Sequence, residues 1–180
     1  AEAVDRLRAE DGGFYTTPVG RADLVRRGRE HTDNAWPSGQ NALAVGMIRL
    51  WNITGIGRWK ALAEEVFAVS ASTAERAPTA VATMLMAWRN ARLGHLSVVV
   101  SGELSSSATH DLLRTARRDT EPALTIIPVA SCRAESWPSL AGRADLVDAQ
   151  ALVCLQSSCL QPATTPNDLV KRLHVAHGPG

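Results

Sequence analysis

Apolar positions recur at helical spacing through the first half of the chain. Ala42, Leu43, Val45, Gly46, Ile48, Leu50 and Trp51 form a broad apolar face, which predicts a helix from Ser38 to the breakers Asn52, Thr54 and Gly55. Trp59, Leu62, Ala63, Val66 and Phe67 predict a second helix over 57–68. Ala80, Val81, Met84, Leu85 and Trp88 predict a third, which starts after Pro78 and ends near Gly94. The stretch S-A-S-T-A-E-R-A-P between the last two reads as a loop. These helices are apolar around nearly all of their circumference, so burial on more than one side is expected. Ahead of them, residues 1–10 read as the end of a helix carrying Val4 and Leu7, broken by Asp11-Gly12-Gly13. Phe14 to Thr17 has strand propensity, and Leu24 with Val25 is its expected partner in a small hairpin.

The period changes after His95. Short apolar runs at 96–100, 124–129 and 151–155 read as strands. Helices are expected over 108–118, capped by the serines at 105–107, and over 166–173, capped by Thr165. Strands separated by helices predict a small parallel sheet. The fold class is therefore mixed α and β: a helical segment over 1–94, an α/β segment over 95–175 and a disordered tail over 176–180. The helices are too few and too apolar to bury themselves, so a partner or a larger helical domain is expected.

Residues 31–41, H-T-D-N-A-W-P-S-G-Q-N, feed the first long helix. One reading is local: Ser38 as an N-cap, with Asp33 or Asn34 closing an Asx-turn before Pro37. That reading leaves His31, Asp33 and Asn41 unexplained. The other reading is a site, because polar loops feeding buried helices often carry function. In it His31 is a general base oriented by Asp33. Trp36, which unlike Trp51, Trp59 and Trp88 lies inside the polar loop, is a stacking platform for a sugar face. Trp51, Trp59 and Trp88 read as core.

Composition narrows the choice of partner. Among 180 residues, 19 basic side chains against 18 acidic ones leave a net charge of +1, which gives no electrostatic case for nucleic acid or an anionic membrane. The run Arg21, Arg26, Arg27 and Arg29 is interleaved with Asp23, Glu30 and Asp33 and reads as a solvated face. No apolar run is long enough for a membrane span, and there is no signal-peptide pattern. Without an initiator Met, Ala1 reads as a processed or fragment end. Three cysteines do not suggest a secreted disulfide scaffold, and a reducing cytoplasm is expected.

Other chemistry-bearing motifs are weaker. Ser101-Gly102 follows a strand but lacks both the dinucleotide fingerprint and a Walker lysine; a serine-rich strand-to-helix loop remains a candidate anion site. Cys154 and Cys159, in C-L-Q-S-S-C, do not have the spacing of a redox dithiol or zinc ribbon. They are open to reading as core, as a disulfide or as a redox pair; Cys132 stands alone. His95, His110, His174 and His177 are scattered, and no metal set is expected.

Three stretches in order carry a resemblance: G-G-F-Y at 12–15, H-T-D-N-A-W-P-S-G-Q-N at 31–41, and V-C-L-Q-S-S-C-L-Q-P at 153–162 with T-P-N-D-L at 165–169. Together they resemble the C-terminal part of the spermatogenesis-associated protein 20 (YyaL-like) family of thioredoxin-domain proteins, over about residues 8–173. The resemblance implies a larger protein, with a thioredoxin-like domain followed by an (α/α)6 toroid similar to N-acylglucosamine 2-epimerases and six-hairpin glycosidases. This chain would hold the last hairpins and the appended α/β segment. Its partner would be the remaining N-terminal part or a separate subunit. The thioredoxin C-x-x-C is absent here, and no residue matches the epimerase acid/base histidines. The implied site is a sugar-binding cavity with His31 and Asp33 catalytic and Asn34, Trp36, Ser38 and Asn41 contacting substrate, without a cofactor. The competing expectation is a non-enzymatic structural module in which the polar stretch only caps and turns. A third is a thiol switch at Cys154 and Cys159.

Overall fold

The structure, a computed structural model, describes residues 2–94, 96–121, 124–131, 147–155 and 158–177. The chain forms two compact units, Ala1–Trp51 with Ile56–Leu93, and Asn52–Gly55 with Gly94–Gly180.

The first unit is helical. Helix α1 (Glu2–Leu7) buries Val4, and Gly12 and Gly13 then turn the chain at φ 93° and 71°. Helix α2 (Gly39–Thr54) ends at Gly55, whose φ of 70° suits a glycine beyond a helix C-terminus. Helix α3 (Gly57–Arg76) follows, then a 3₁₀ turn at Pro78–Val81 and α4 (Ala82–Leu93). Val4, Phe14, Met47, Ile48, Leu62, Val66, Val81 and Met84 meet in one core.

Three sequence expectations change here. Helix α3 runs on through the S-A-S-T-A-E-R stretch. Its small residues tolerate a helix, Ser70 is buried within it, and the chain turns only at Ala77, which precedes Pro78 and leaves the α region at φ −148°. The hairpin does not form: Phe14 makes one isolated bridge, to Arg8, while Leu24 and Val25 lie in an exposed loop. Their neighbours Arg21, Asp23, Arg26 and Arg27 supply no apolar face for a strand to pack on. The helices are also buried on one side only. Leu50, Met86 and Trp88 are exposed by 42%, 46% and 44%, so Trp88 is not core.

Among the described residues, the second unit holds a four-stranded sheet in the order β2-β1-β3-β4. Strand β1 (Leu96–Ser101) is buried along its whole length. Helix α5 (Ser107–Ala116) carries the chain to β2 (Thr125–Pro128), which lies parallel to β1. Strand β3 (Gln150–Leu155) runs antiparallel to β1, and β4 (Ser158–Cys159) returns antiparallel to β3. The sheet is therefore mixed and not parallel as expected. A central apolar strand reads alike whichever way its neighbour runs, so composition did not carry the direction.

Residues alternate across β1. Leu96, Val98 and Val100 join Leu112, Leu113, Leu169 and Leu173, the last two from α6 (Pro166–His177), while Val99 meets Ile127, Val129, Ile53 and Leu152. Helix α6 opens on Thr165 as its N-cap. The Asp168 amide donates to Thr165 Oγ1 at 3.2 Å, and the Thr165 hydroxyl donates to Asp168 Oδ2 at 2.9 Å. The helix extends into the expected tail as far as His177. The tail's last residues, 178–180, lie outside the described residues, as do His95, Cys132 and the loop expected at 138–142.

Candidate functional site

The polar stretch 31–41 enters α2 through Ser38, which is 2% exposed. Ser38 Oγ accepts the amide of Asn41 at 3.3 Å, the N-cap bond expected of it. Asp33 does more than close a turn. Its Oδ1 accepts the Ser38 amide at 2.9 Å and the Asn41 side-chain Nδ2 at 2.9 Å. Its Oδ2 accepts the amide of Thr83 at 2.9 Å, fifty residues along the chain (83 against 33) and within the first turn of α4. The Asp33 amide in turn donates to the Ala80 carbonyl at 2.7 Å. One carboxylate thus receives unpaired N–H groups from the starts of two helices, where the helix dipoles also favour negative charge.

Burial pushes the Asp33 carboxyl upward, but the Asn41 amide and the Ser38 and Thr83 donors together outweigh it and hold the group below the usual carboxylate range. Asn41 is fully buried, and its Nδ2 also donates to the His31 carbonyl at 3.3 Å. Its Oδ1 has no partner among the described residues.

His31 is not oriented by Asp33. Its ring Nδ1 lies 2.9 Å from Gln40 Nε2. Gln40 Oε1 accepts the Phe14 amide at 3.4 Å, which fixes the amide so that Nε2 donates and the His31 Nδ1 accepts. The general-base pair therefore separates into two different networks. Gln40, 3% exposed, is the residue that sequence reasoning left out of the site. Its signal was available: 40, 44, 47 and 51 share one helical face, and the other three are apolar. Gly13 fits the same network, because a Cβ there would stand 2.9 Å from Gln40 Oε1.

The remaining predicted contacts face outward. Asn34 is exposed and its amide donates to the Trp36 carbonyl at 2.9 Å; Trp36 is 82% exposed. Arg21, Arg27 and Arg29 of the arginine run are engaged locally. Arg21 pairs with Asp23, Arg29 pairs with Asp11, and Arg27 donates to the carbonyls of Thr17 and Arg6 while lying 3.9 Å over the Tyr15 ring centre. Arg29 lies over the same ring at 4.7 Å, so the ring packs against two guanidinium groups.

In the second unit the serine-rich loop does not form a phosphate cradle. Gly102, at φ 103°, is explained by packing, since a Cβ would meet Thr109 Oγ1 at 2.5 Å and the Ala149 Cα at 2.8 Å. Ser105 Oγ donates to Glu103 Oε2 at 3.3 Å, which sets a carboxylate in that loop. Thr115, Arg118, Asp119, Val170, Leu173 and His174 line a concavity of about 170 Å³, smaller than the several hundred Å³ of a typical ligand pocket. Cys154 and Cys159 are joined in a disulfide across β3 and β4. Among the described residues, no three His, Cys, Asp or Glu side chains converge as a metal set, and no helix is long and apolar enough to cross a membrane.

Comparison of the chain with protein-family models, with curated proteins and with solved structures gives no match.

Proposed function

We propose that this chain is a non-enzymatic structural and interaction module, the C-terminal part of a YyaL-like thioredoxin-domain protein of the cytoplasm. Its helical unit supplies the last hairpins of an (α/α)6 toroid. The family assignment rests on the three sequence stretches at 12–15, 31–41 and 153–169. The observation that carries the structural role is the Asp33 carboxylate. Its oxygens are engaged by Ser38, Asn41 and Thr83, so the group that would orient a base is spent on joining two helix starts. The exposed Leu50, Met86 and Trp88 supply apolar area for the remaining hairpins or a partner subunit to cover.

A second reading is carbohydrate binding, favoured by one observation: Trp36 is 82% exposed beside the exposed Asn34, as a stacking platform requires.

Adding N-acetylglucosamine while following tryptophan fluorescence and thermal unfolding separates the two. The structural reading predicts no sugar-dependent change in the wild type, and a lowered melting temperature in Asp33→Ala with or without sugar. A saturable shift lost in Trp36→Ala would overturn it in favour of sugar binding.

A further inference from the structure

Cys154 and Cys159 stand directly opposite each other in the β3–β4 hairpin, with Cα atoms 3.9 Å apart. The Leu160 amide donates to the Val153 carbonyl at 2.8 Å. That makes Val153 and Leu160 a hydrogen-bonded pair, and the two cysteines the adjacent non-hydrogen-bonded pair, where side chains approach most closely.

Two observations separate this bridge from one that holds a fold. It closes a sequence separation of only 5, and the restriction that a crosslink imposes on the unfolded chain grows with the loop it closes. The returning strand is also held without it. Ala151 and Ala163 exchange both backbone hydrogen bonds at 2.8 Å, and the Leu160 to Val153 bond adds a third. Between these contacts Gln161 and Pro162 lie opposite Leu152 alone, a bulge that accommodates a proline without an amide to donate.

Access to the two sulfurs differs. Cys154 is 2% exposed and sits beside Val153 on a strand that pairs on both sides. Cys159 is half-buried on β4, the last strand of the sheet order, next to the exposed Ser158.

We propose that Cys154–Cys159 is a thiol–disulfide exchange site whose partner is a dithiol reductant, with Cys159 Sγ as the atom attacked. The incoming thiolate forms a bond to Cys159 Sγ as the Cys154–Cys159 bond breaks. Cys154 leaves as a thiolate and takes a proton from water. The second thiol of the reductant then attacks its own sulfur in the mixed disulfide and releases Cys159, which is protonated in turn. One dithiol becomes a disulfide as one disulfide becomes two thiols, a balanced two-electron exchange. The backbone contacts of Ala151, Ala163 and Leu160 hold the hairpin throughout, so the unit stays folded in both states. The exchange depends on neither the sugar nor the toroid reading.

The test uses the full chain carrying Cys132→Ser, so that only the pair can react. Untreated protein, unfolded and alkylated, takes up no label. In native buffer, millimolar dithiothreitol opens the bridge. Two labels appear by intact mass, and far-ultraviolet circular dichroism is unchanged. Brief exposure to glutathione leaves its adduct on Cys159. Three results would overturn the proposal: a bridge that opens only in denaturant, an adduct on Cys154, or two labels in untreated protein. If Cys132→Ser fails to fold, the wild type serves. Trypsin separates Cys132, in the peptide ending at Arg133, from the pair, in the peptide between Arg143 and Lys171.

Discussion

The loop at 31–41 and the strand Leu96–Ser101 each bury a stretch of chain, and they do so by opposite means. Val98, Val99 and Val100 are exposed by 0 to 1% and are fixed by apolar area on both faces of the sheet. Ser38, Gln40 and Asn41 are as well buried, at 2%, 3% and 0%, but each is fixed by named polar partners. Apolar burial is non-directional and roughly proportional to area, so it tolerates exchange among residues of similar volume. A buried polar network tolerates little, because removing one member leaves its partners unsatisfied.

The largest effect should fall on the apolar side. Leu112 is fully buried between α5 and the sheet. Leu112→Ala should cost about 2–5 kcal/mol in urea unfolding, whereas Leu50→Ala, at a site 42% exposed, should stay within about 0.5 kcal/mol. Equal losses at the two sites would mean that the sheet core is not where this unit's stability lies.

A smaller effect sharpens the polar side. Gly13 and Gly20 both have positive φ, 71° and 85°. A methyl group added at Gly13 would stand 2.9 Å from Gln40 Oε1, whereas one added at Gly20 would meet open space. Gly20→Ala should carry the backbone cost alone, about 1 kcal/mol, and Gly13→Ala should reach about 2–3 kcal/mol by also displacing the Gln40 amide. Identical melting temperatures for the two variants would remove Gln40 from the network.

The same contrast explains what could be read in advance. Helices α2 and α4, β1 and the Thr165 cap were legible because periodicity, Pro78, Gly94 and the T-P-N-D stretch are local signals. The direction of β3 was not, since it depends on a partner strand more than forty residues away (Val99 pairs with Leu152). The stretch 31–41 was legible as special but not as a clasp. Ser38 as an N-cap is a local rule. The acceptance of the Thr83 amide by Asp33 spans fifty residues, and nothing in the H-T-D-N run points to position 83. His31 and Asp33 looked like a pair because they are two residues apart, but their side chains bond to Gln40 and Asn41 instead.

The Asp33 carboxylate joins the starts of α2 and α4, and it does so as an anion. Its pKa is lowered by folding, so its stabilisation is complete above the unfolded carboxyl value of about 4 and is lost as pH falls through the lower folded value. The direct measurement is the urea unfolding free energy of the wild type and Asp33→Asn from pH 7 down to about pH 2.5. A wild-type advantage of about 1–2 kcal/mol is expected at pH 7, shrinking steadily below about pH 4. An advantage that stays constant with pH, or none at pH 7, would contradict the claim.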